Sequence, residues 1–80
     1  MQDAVAPEVR VSCYGALASR AGIRSGTVRA ATLGEAAAAV GLQLDLHVVA
    51  ALNGERISRD PAIALAAGDS VAFISADAGG

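Results

Sequence analysis

Apolar and polar side chains alternate along Val9-Arg10-Val11-Ser12-Cys13-Tyr14, which is the period of a half-buried strand. Val9, Val11 and Cys13 fall on one side of that strand and Arg10, Ser12 and Tyr14 on the other. Gly15 ends the run, and residues 16–26 form a long connection punctuated by Gly22 and Gly26. Thr27-Val28-Arg29-Ala30-Ala31 reads as a second short strand, paired with the first as a hairpin with a loose loop. Thr32-Leu33-Gly34-Glu35 then places a hydroxyl at an N-cap and a carboxylate three residues on, the pattern of a capping box. The Ala36-Ala37-Ala38-Ala39 run has the highest helix propensity available. Leu33, Ala36, Ala37 and Val40 share one face, and Gly41 stands where a C-cap is expected. A helix this short does not hold on its own, so it must pack on a sheet.

His47-Val48-Val49-Ala50-Ala51-Leu52 is nearly continuous apolar sequence, as expected for a central strand buried on both faces. Asn53-Gly54 follows, a dipeptide that favours positive φ and signals a tight hairpin turn. Glu55-Arg56-Ile57 is a brief return strand. Asp60-Pro61 opens a connection that Ile63 and Leu65 anchor to the core. Gly68-Asp69 makes a tight turn, and Ser70-Val71-Ala72-Phe73-Ile74 is the last strand, with Phe73 inward and Ala72 and Ile74 outward. The order is β-β-α-β-β-β. Parallel pairing of the first and last strands would close a mixed sheet with the helix on one face. The fold class is therefore α+β, a β-grasp (ubiquitin-like) arrangement. Residues 1–7 read as a flexible leader ending at Pro7, residues 8–74 as the domain, and residues 75–80 as a flexible C-terminal tail without a hydrophobic anchor.

Composition narrows the function classes. The 80 residues make one domain, 54% hydrophobic, with Tyr14 and Phe73 as its only aromatics. A core of small aliphatics gives little apolar area per residue, so the domain is expected to gain stability when a partner binds it. The formal charge is -2, without the cationic footprint that nucleic-acid binding requires. No apolar run approaches the ~18 residues of a membrane span, and the N-terminus lacks the pattern of a signal peptide. A lone Cys13 excludes an intrachain disulfide or a cysteine-based metal cluster. Together these point to a cytoplasmic protein. A Cys13–His47 thiolate–imidazole pair is the sharpest enzymatic reading. It is the weaker one, because Cys13 sits on the apolar face as a small hydrophobe and His47 has no acidic orienter. One His and one Cys are too few ligands for a metal. Asn53, Gly54 and Asp69 read as turn residues. Arg20, Arg24 and Arg29 read as a solvated face that can meet acidic groups on a partner. No nucleophile–base pair or metal set is present, so a free-standing enzyme is the least favoured class.

Four segments carry a family resemblance. They are Val9-Arg10-Val11-Ser12-Cys13-Tyr14-Gly15-Ala16-Leu17 through Ala21-Gly22, Val49-Ala50-Ala51-Leu52-Asn53-Gly54-Glu55, Gly68-Asp69-Ser70-Val71-Ala72-Phe73-Ile74, and Gly79-Gly80. In order and spacing they resemble the MoaD/ThiS-type sulfur carriers, the family of the molybdopterin synthase small subunit and the thiamine-pathway carrier. The long first connection is closer to the molybdopterin type. Ser75-Ala76 stand where that type usually has prolines.

The resemblance implies a non-catalytic carrier with no resident cofactor. An E1-like adenylyltransferase of the MoeB/ThiF type would adenylate the Gly80 carboxylate with ATP, and a sulfur donor would convert it to a thiocarboxylate. A sulfur-accepting synthase, here the large molybdopterin synthase subunit, would take the sulfur. Gly79 and Gly80 would be the sulfur-carrying end, Ala78 and Asp77 the tail, and Ile74, Tyr14 and Leu17 the docking surface. A chain end without Cβ atoms suits a narrow channel, and ordering it costs ~1–2 kcal/mol per residue. Three alternatives stand beside this reading. They are sulfur delivery for thiamine thiazole or cysteine biosynthesis, a ubiquitin-like modifier joined to lysines through Gly80, and a β-grasp binding module without tail chemistry.

Overall fold

The first strand shows how the pattern becomes structure: Val9, Val11 and Cys13 are buried and Arg10 is exposed. The structure is a computed structural model, describing residues 5–15, 17, 21, 24–45 and 47–75. In chain order it contains β1 (Glu8–Cys13), β2 (Ser25–Arg29), α1 (Leu33–Ala39), β3 (Val48–Leu52), β4 (Arg56–Ser58) and β5 (Ser70–Ser75). The five strands form one sheet in the order β2-β1-β5-β3-β4. β1 and β5 pair in parallel and the other neighbours are antiparallel. With α1 packed on the inner face, this is the ubiquitin-like β-grasp fold.

Helix α1 is sealed at both ends. Thr32 is extended (φ -135, ψ 163), and its Oγ1 accepts from the Glu35 N–H at 3.2 Å. The Glu35 carboxylate reaches back to the Ala31 N–H at 2.8 Å, one residue beyond the usual capping-box partner. The next two amides donate outside the helix, Leu33 to the Ile63 carbonyl and Gly34 to the Pro61 carbonyl. The segment after β4 thus satisfies donors that a helix start leaves unpaired. At the other end Gly41 takes φ 81. Its N–H donates to Ala38 and the Leu42 N–H to Ala37, the paired bonds of a Schellman motif. The cap is therefore one residue earlier than expected: Val40 is the cap, and Gly41 is the left-handed residue after it.

Several boundaries and environments differ from the sequence reading. β2 is Ser25–Arg29, not 27–31, because the ladder to β1 runs from Glu8↔Arg29 to Ser12↔Ser25. Ala30 has left the ladder; it is buried, and its N–H donates to the Pro7 carbonyl at 3.0 Å. β3 begins at Val48, since Asp45 Oδ1 accepts from both the His47 and Val48 amides. β3 is also neither central nor buried on both faces. β5 lies in the middle of the sheet, and Val49 and Ala51 are only half-buried between the buried Val48, Ala50 and Leu52. β4 spans Arg56–Ser58, one step later than expected. Residues 6 and 7 of the expected leader already contact the domain, as the Ala6 carbonyl accepts from Arg29 Nη1.

The core is made of small pieces around one ring. Phe73 is 0% exposed. Its ladder partners are Cys13 on β1 and Ala50 on β3, small side chains that leave room for it. Leu33, Ala36 and Ala37 of α1 and Leu17 pack into the same cluster, and Leu65 is buried with Ile63 beside it, as the sequence led one to expect. The Asn53-Gly54 turn has φ 54 and 70, both positive as a type I′ turn requires.

Gly34 marks where the chain approaches the helix most closely. An alanine in a helix is ordinarily about 1 kcal/mol more favourable than glycine. Here the added Cβ would meet Pro61 Cβ at 2.8 Å and the Pro61 oxygen at 3.2 Å. Forced overpacking costs about 1–3 kcal/mol, and the proline ring has little freedom to yield. Gly34→Ala is therefore expected to lower the urea unfolding midpoint, and an equal or higher midpoint would show that the segment around Pro61 moves aside at little cost.

Candidate functional site

The site of interest is the end of the sheet from which the chain leaves β5. β5 runs parallel to β1, so both strands end on the same side. There the Tyr14 N–H donates to the Phe73 carbonyl at 3.1 Å, and the Cys13 N–H to the Arg24 carbonyl at 2.7 Å. Ser75 is in register with Val48. The end of β5 is thus flanked by the close of β1 and the start of β3, with the start of β2 just beyond. An open depression of about 630 Å³ beside it is lined by Ser12, Cys13, Tyr14, Gly15, Arg24 and Ser25.

The outer face of the sheet divides into two halves. Alternation puts Ala72 and Ile74 of β5 on it, with Ala51 and Val49 opposite them on β3 and Ile57 opposite Ala51 on β4. Ile57 is 68% exposed and the other four are half-buried. On the β1–β2 side the same face carries Glu8, Arg10, Ser12, Ser25, Thr27 and Arg29, with Glu8 opposite Arg29. An apolar strip therefore borders an arginine-bearing strip, and both lie on the sheet whose central strand leads toward the C-terminal tail.

Of the docking residues expected from sequence, two are on the surface. Tyr14 is 56% exposed, and Ile74 is half-buried on the outer face. Leu17 is not a docking residue. It is 1% exposed and belongs to the core cluster; its N–H donates to Tyr14 and its carbonyl accepts from Ala21. A long connection needs a large aliphatic anchor on the core, and Leu17 supplies one. Asp77, Ala78, Gly79 and Gly80 lie outside the described residues, as does Arg20. Val49, Ala51 and Ile57 were missed as surface residues. The apolar run at 48–52 carries no polar alternation to signal that one face of β3 is open.

The sheet separates the two residues of the alternative enzymatic reading. Cys13 is 2% exposed and turned into the core, whereas His47 is exposed in the turn before β3. Burial pushes the Cys13 thiol above its ordinary pKa of 9.0, since a thiolate there would lose its hydration. Among the described residues no group of three or more His, Cys, Asp or Glu side chains is placed to hold a metal. No described helix is long and apolar enough to cross a membrane. At the far end of β5, Asn53 and Asp69 are turn-holding residues as expected. Asn53 Oδ1 accepts from the Ser70 N–H at 2.9 Å, and Asp69 Oδ2 from the Ala66 N–H at 2.8 Å.

No family model and no curated protein matches the sequence. Solved structures do. The crystal structure of SAMP1 from Haloferax volcanii superposes with a TM-score of 0.69 at 27% identity, over 91% of this chain and 99% of that one. A crystal structure of H. volcanii small archaeal modifier protein 1 gives 0.67 at 27% identity, over 85% and 95%.

The raised thiol pKa sets a pH dependence. The folded protein keeps the Cys13 proton to higher pH than the unfolded chain, so this contribution is complete below about pH 9 and lost as pH rises through the folded value. The stability of the protein relative to its Cys13→Ala variant should hold steady from about pH 7 to 8.5 and fall above about pH 9. Urea titrations across that range measure it, and a flat difference up to about pH 10.5 would contradict a buried thiol.

Proposed function

We propose that this chain is a ubiquitin-like sulfur carrier that works through the Gly80 carboxylate. One conjunction carries the reading. A β-grasp domain that matches 99% of a small archaeal modifier's chain at 27% identity leads from its central strand into a tail holding Gly79-Gly80. A carboxylate resists nucleophiles until one oxygen becomes a leaving group, so the chain needs an outside enzyme. In the proposed cycle an E1-like adenylyltransferase binds the domain and joins the Gly80 carboxylate to the AMP portion of ATP, releasing pyrophosphate. Hydrosulfide from a sulfur donor displaces AMP at the acyl carbon and leaves a thiocarboxylate. A synthase then takes the sulfur, and water supplies the oxygen that restores the carboxylate. The chain is a cosubstrate in each step. The length of the 16–26 connection favours the large subunit of molybdopterin synthase as the acceptor.

The two-part outer face supports the docking steps. Apolar area at Val49, Ile57 and Ile74 can be removed from water by a partner, and the adjacent Arg10 and Arg29 favour acidic groups at its rim. Docking energy of this kind offsets the cost of ordering the tail in the partner's channel.

The structural neighbours favour a second fate for the same intermediate. They are modifier proteins, and an activated Gly80 that meets an amine instead of sulfur would form an amide with a target protein. Co-expression with an active E1-like partner separates the two. Intact-mass analysis should show the mass increase of one sulfur-for-oxygen exchange, lost when Gly80 is deleted. Covalent adducts to other proteins without that species would support the modifier reading, and neither product would sink both.

The surface role has its own test. Ile57→Asp lies on an exposed position, so it should change folding stability by no more than about 0.5 kcal/mol. It should weaken the complex with the activating enzyme by about 1–2 kcal/mol, read as a rise in Kd by calorimetry. Unchanged affinity would remove β4 from the docking surface.

A further inference from the structure

All six cationic side chains of this sequence are arginines. Five of them are described, Arg10, Arg24, Arg29, Arg56 and Arg59, and all five are exposed. They are spread over β1, the approach to β2, β2 itself, β4 and the segment after it. Arginine is the usual choice over lysine where a planar fork must grip a carboxylate. That reason does not apply here. No ion pair joins any of the five to a carboxylate among the described residues, and of their side chains Arg29 alone donates a bond, to the Ala6 carbonyl. The one thiol, Cys13, is turned into the core.

From this distribution we infer that the chain is an acyl donor whose own side chains cannot act as acceptors. The inference rests on the proposed activation at Gly80. An activated Gly80 carbonyl is attacked by a neutral amine or a thiolate. In that step the nitrogen lone pair forms a C–N bond, the leaving group departs with the electron pair of its bond to carbon, and the ammonium proton passes to solvent. Lysine, with a pKa of ~10.4, presents more neutral nitrogen near pH 8 than arginine, whose guanidinium titrates far higher, by a factor of at least ~10². Arginine keeps the positive charge that steers an acidic partner and withholds the nucleophile. A second copy of the chain therefore meets the activated end without capturing it through a side chain. A target that receives this chain gains no side-chain amine through which a further unit could branch.

The test uses the full-length chain carrying a chemically installed thioester at Gly80, so it needs no activating enzyme. Failure of enzymatic adenylation would overturn the proposed cycle and leave this result readable. The thioester is incubated near neutral to mildly alkaline pH with excess unactivated chain, and products are followed by intact mass and peptide mapping. The native sequence should give hydrolysis and no dimer branched through a side chain. Arg56→Lys and Arg59→Lys, at exposed positions with no bonds to lose, should give at least about tenfold more branched dimer. Its Gly80–Nε linkage should map to the substituted residue. A dimer mapped to a side chain of the native sequence would overturn the inference. So would lysine variants that give no more dimer than the native chain while an added lysine peptide is acylated in the same tube.

Discussion

The parallel ladder between β1 and β5 is the constraint from which the rest of the molecule follows. Parallel neighbours cannot be joined by a hairpin and need a crossover. Nearly everything between Cys13 and Ser70 is that crossover: β2 folds back on one side of the pair, α1 covers the inner face, and β3 and β4 build out the other side. The register Cys13↔Phe73 brings the ends of both strands together. It also fixes the inward turn of Phe73, the ring on which a core of valines, alanines and leucines is assembled. The outer face and the point at which the chain leaves β5 are set by the same pairing.

The core itself has little to spare. Its members are mostly small, and small domains bury a low fraction of their surface. Local devices that close the ends of α1 therefore matter more than they would in a larger protein. The carbonyls of Pro61 and Ile63 take the first helical amides, Thr32 and Glu35 close the turn before them, and Gly41 ends the helix. A segment without regular structure thus holds the helix against the sheet.

Much of this was legible from residue order. The alternation at Val9–Tyr14, the Thr32–Glu35 box and the Asn53-Gly54 turn each encode local geometry, and each is seen in the structure. What failed depended on partners distant in sequence. Ala30 and Ala31 look strand-like, but the hairpin register to β1 excludes them. Val49 and Ala51 look buried because they are apolar; whether another layer covers them is a property of the whole sheet. Leu17 was expected among the exposed apolar residues near the tail, yet its side chain is buried in the core. For the candidate site, sequence named Tyr14 and Ile74 and missed the strip formed by Val49, Ala51 and Ile57, which only strand pairing brings together. The fold class was readable because its signals are local and numerous; the surface was not, because it is made by the register.

The central place of β5 also decides how the protein meets mechanical load. A pull applied at Ser75 along the direction of β5 loads the strand along its axis and not across it. The ladders to β1 and β3 are then stressed in shear, so their hydrogen bonds share the force instead of parting one after another as a peeled edge strand would. Traction of that kind is therefore borne by the strongest direction of the sheet, with β5 held on both sides.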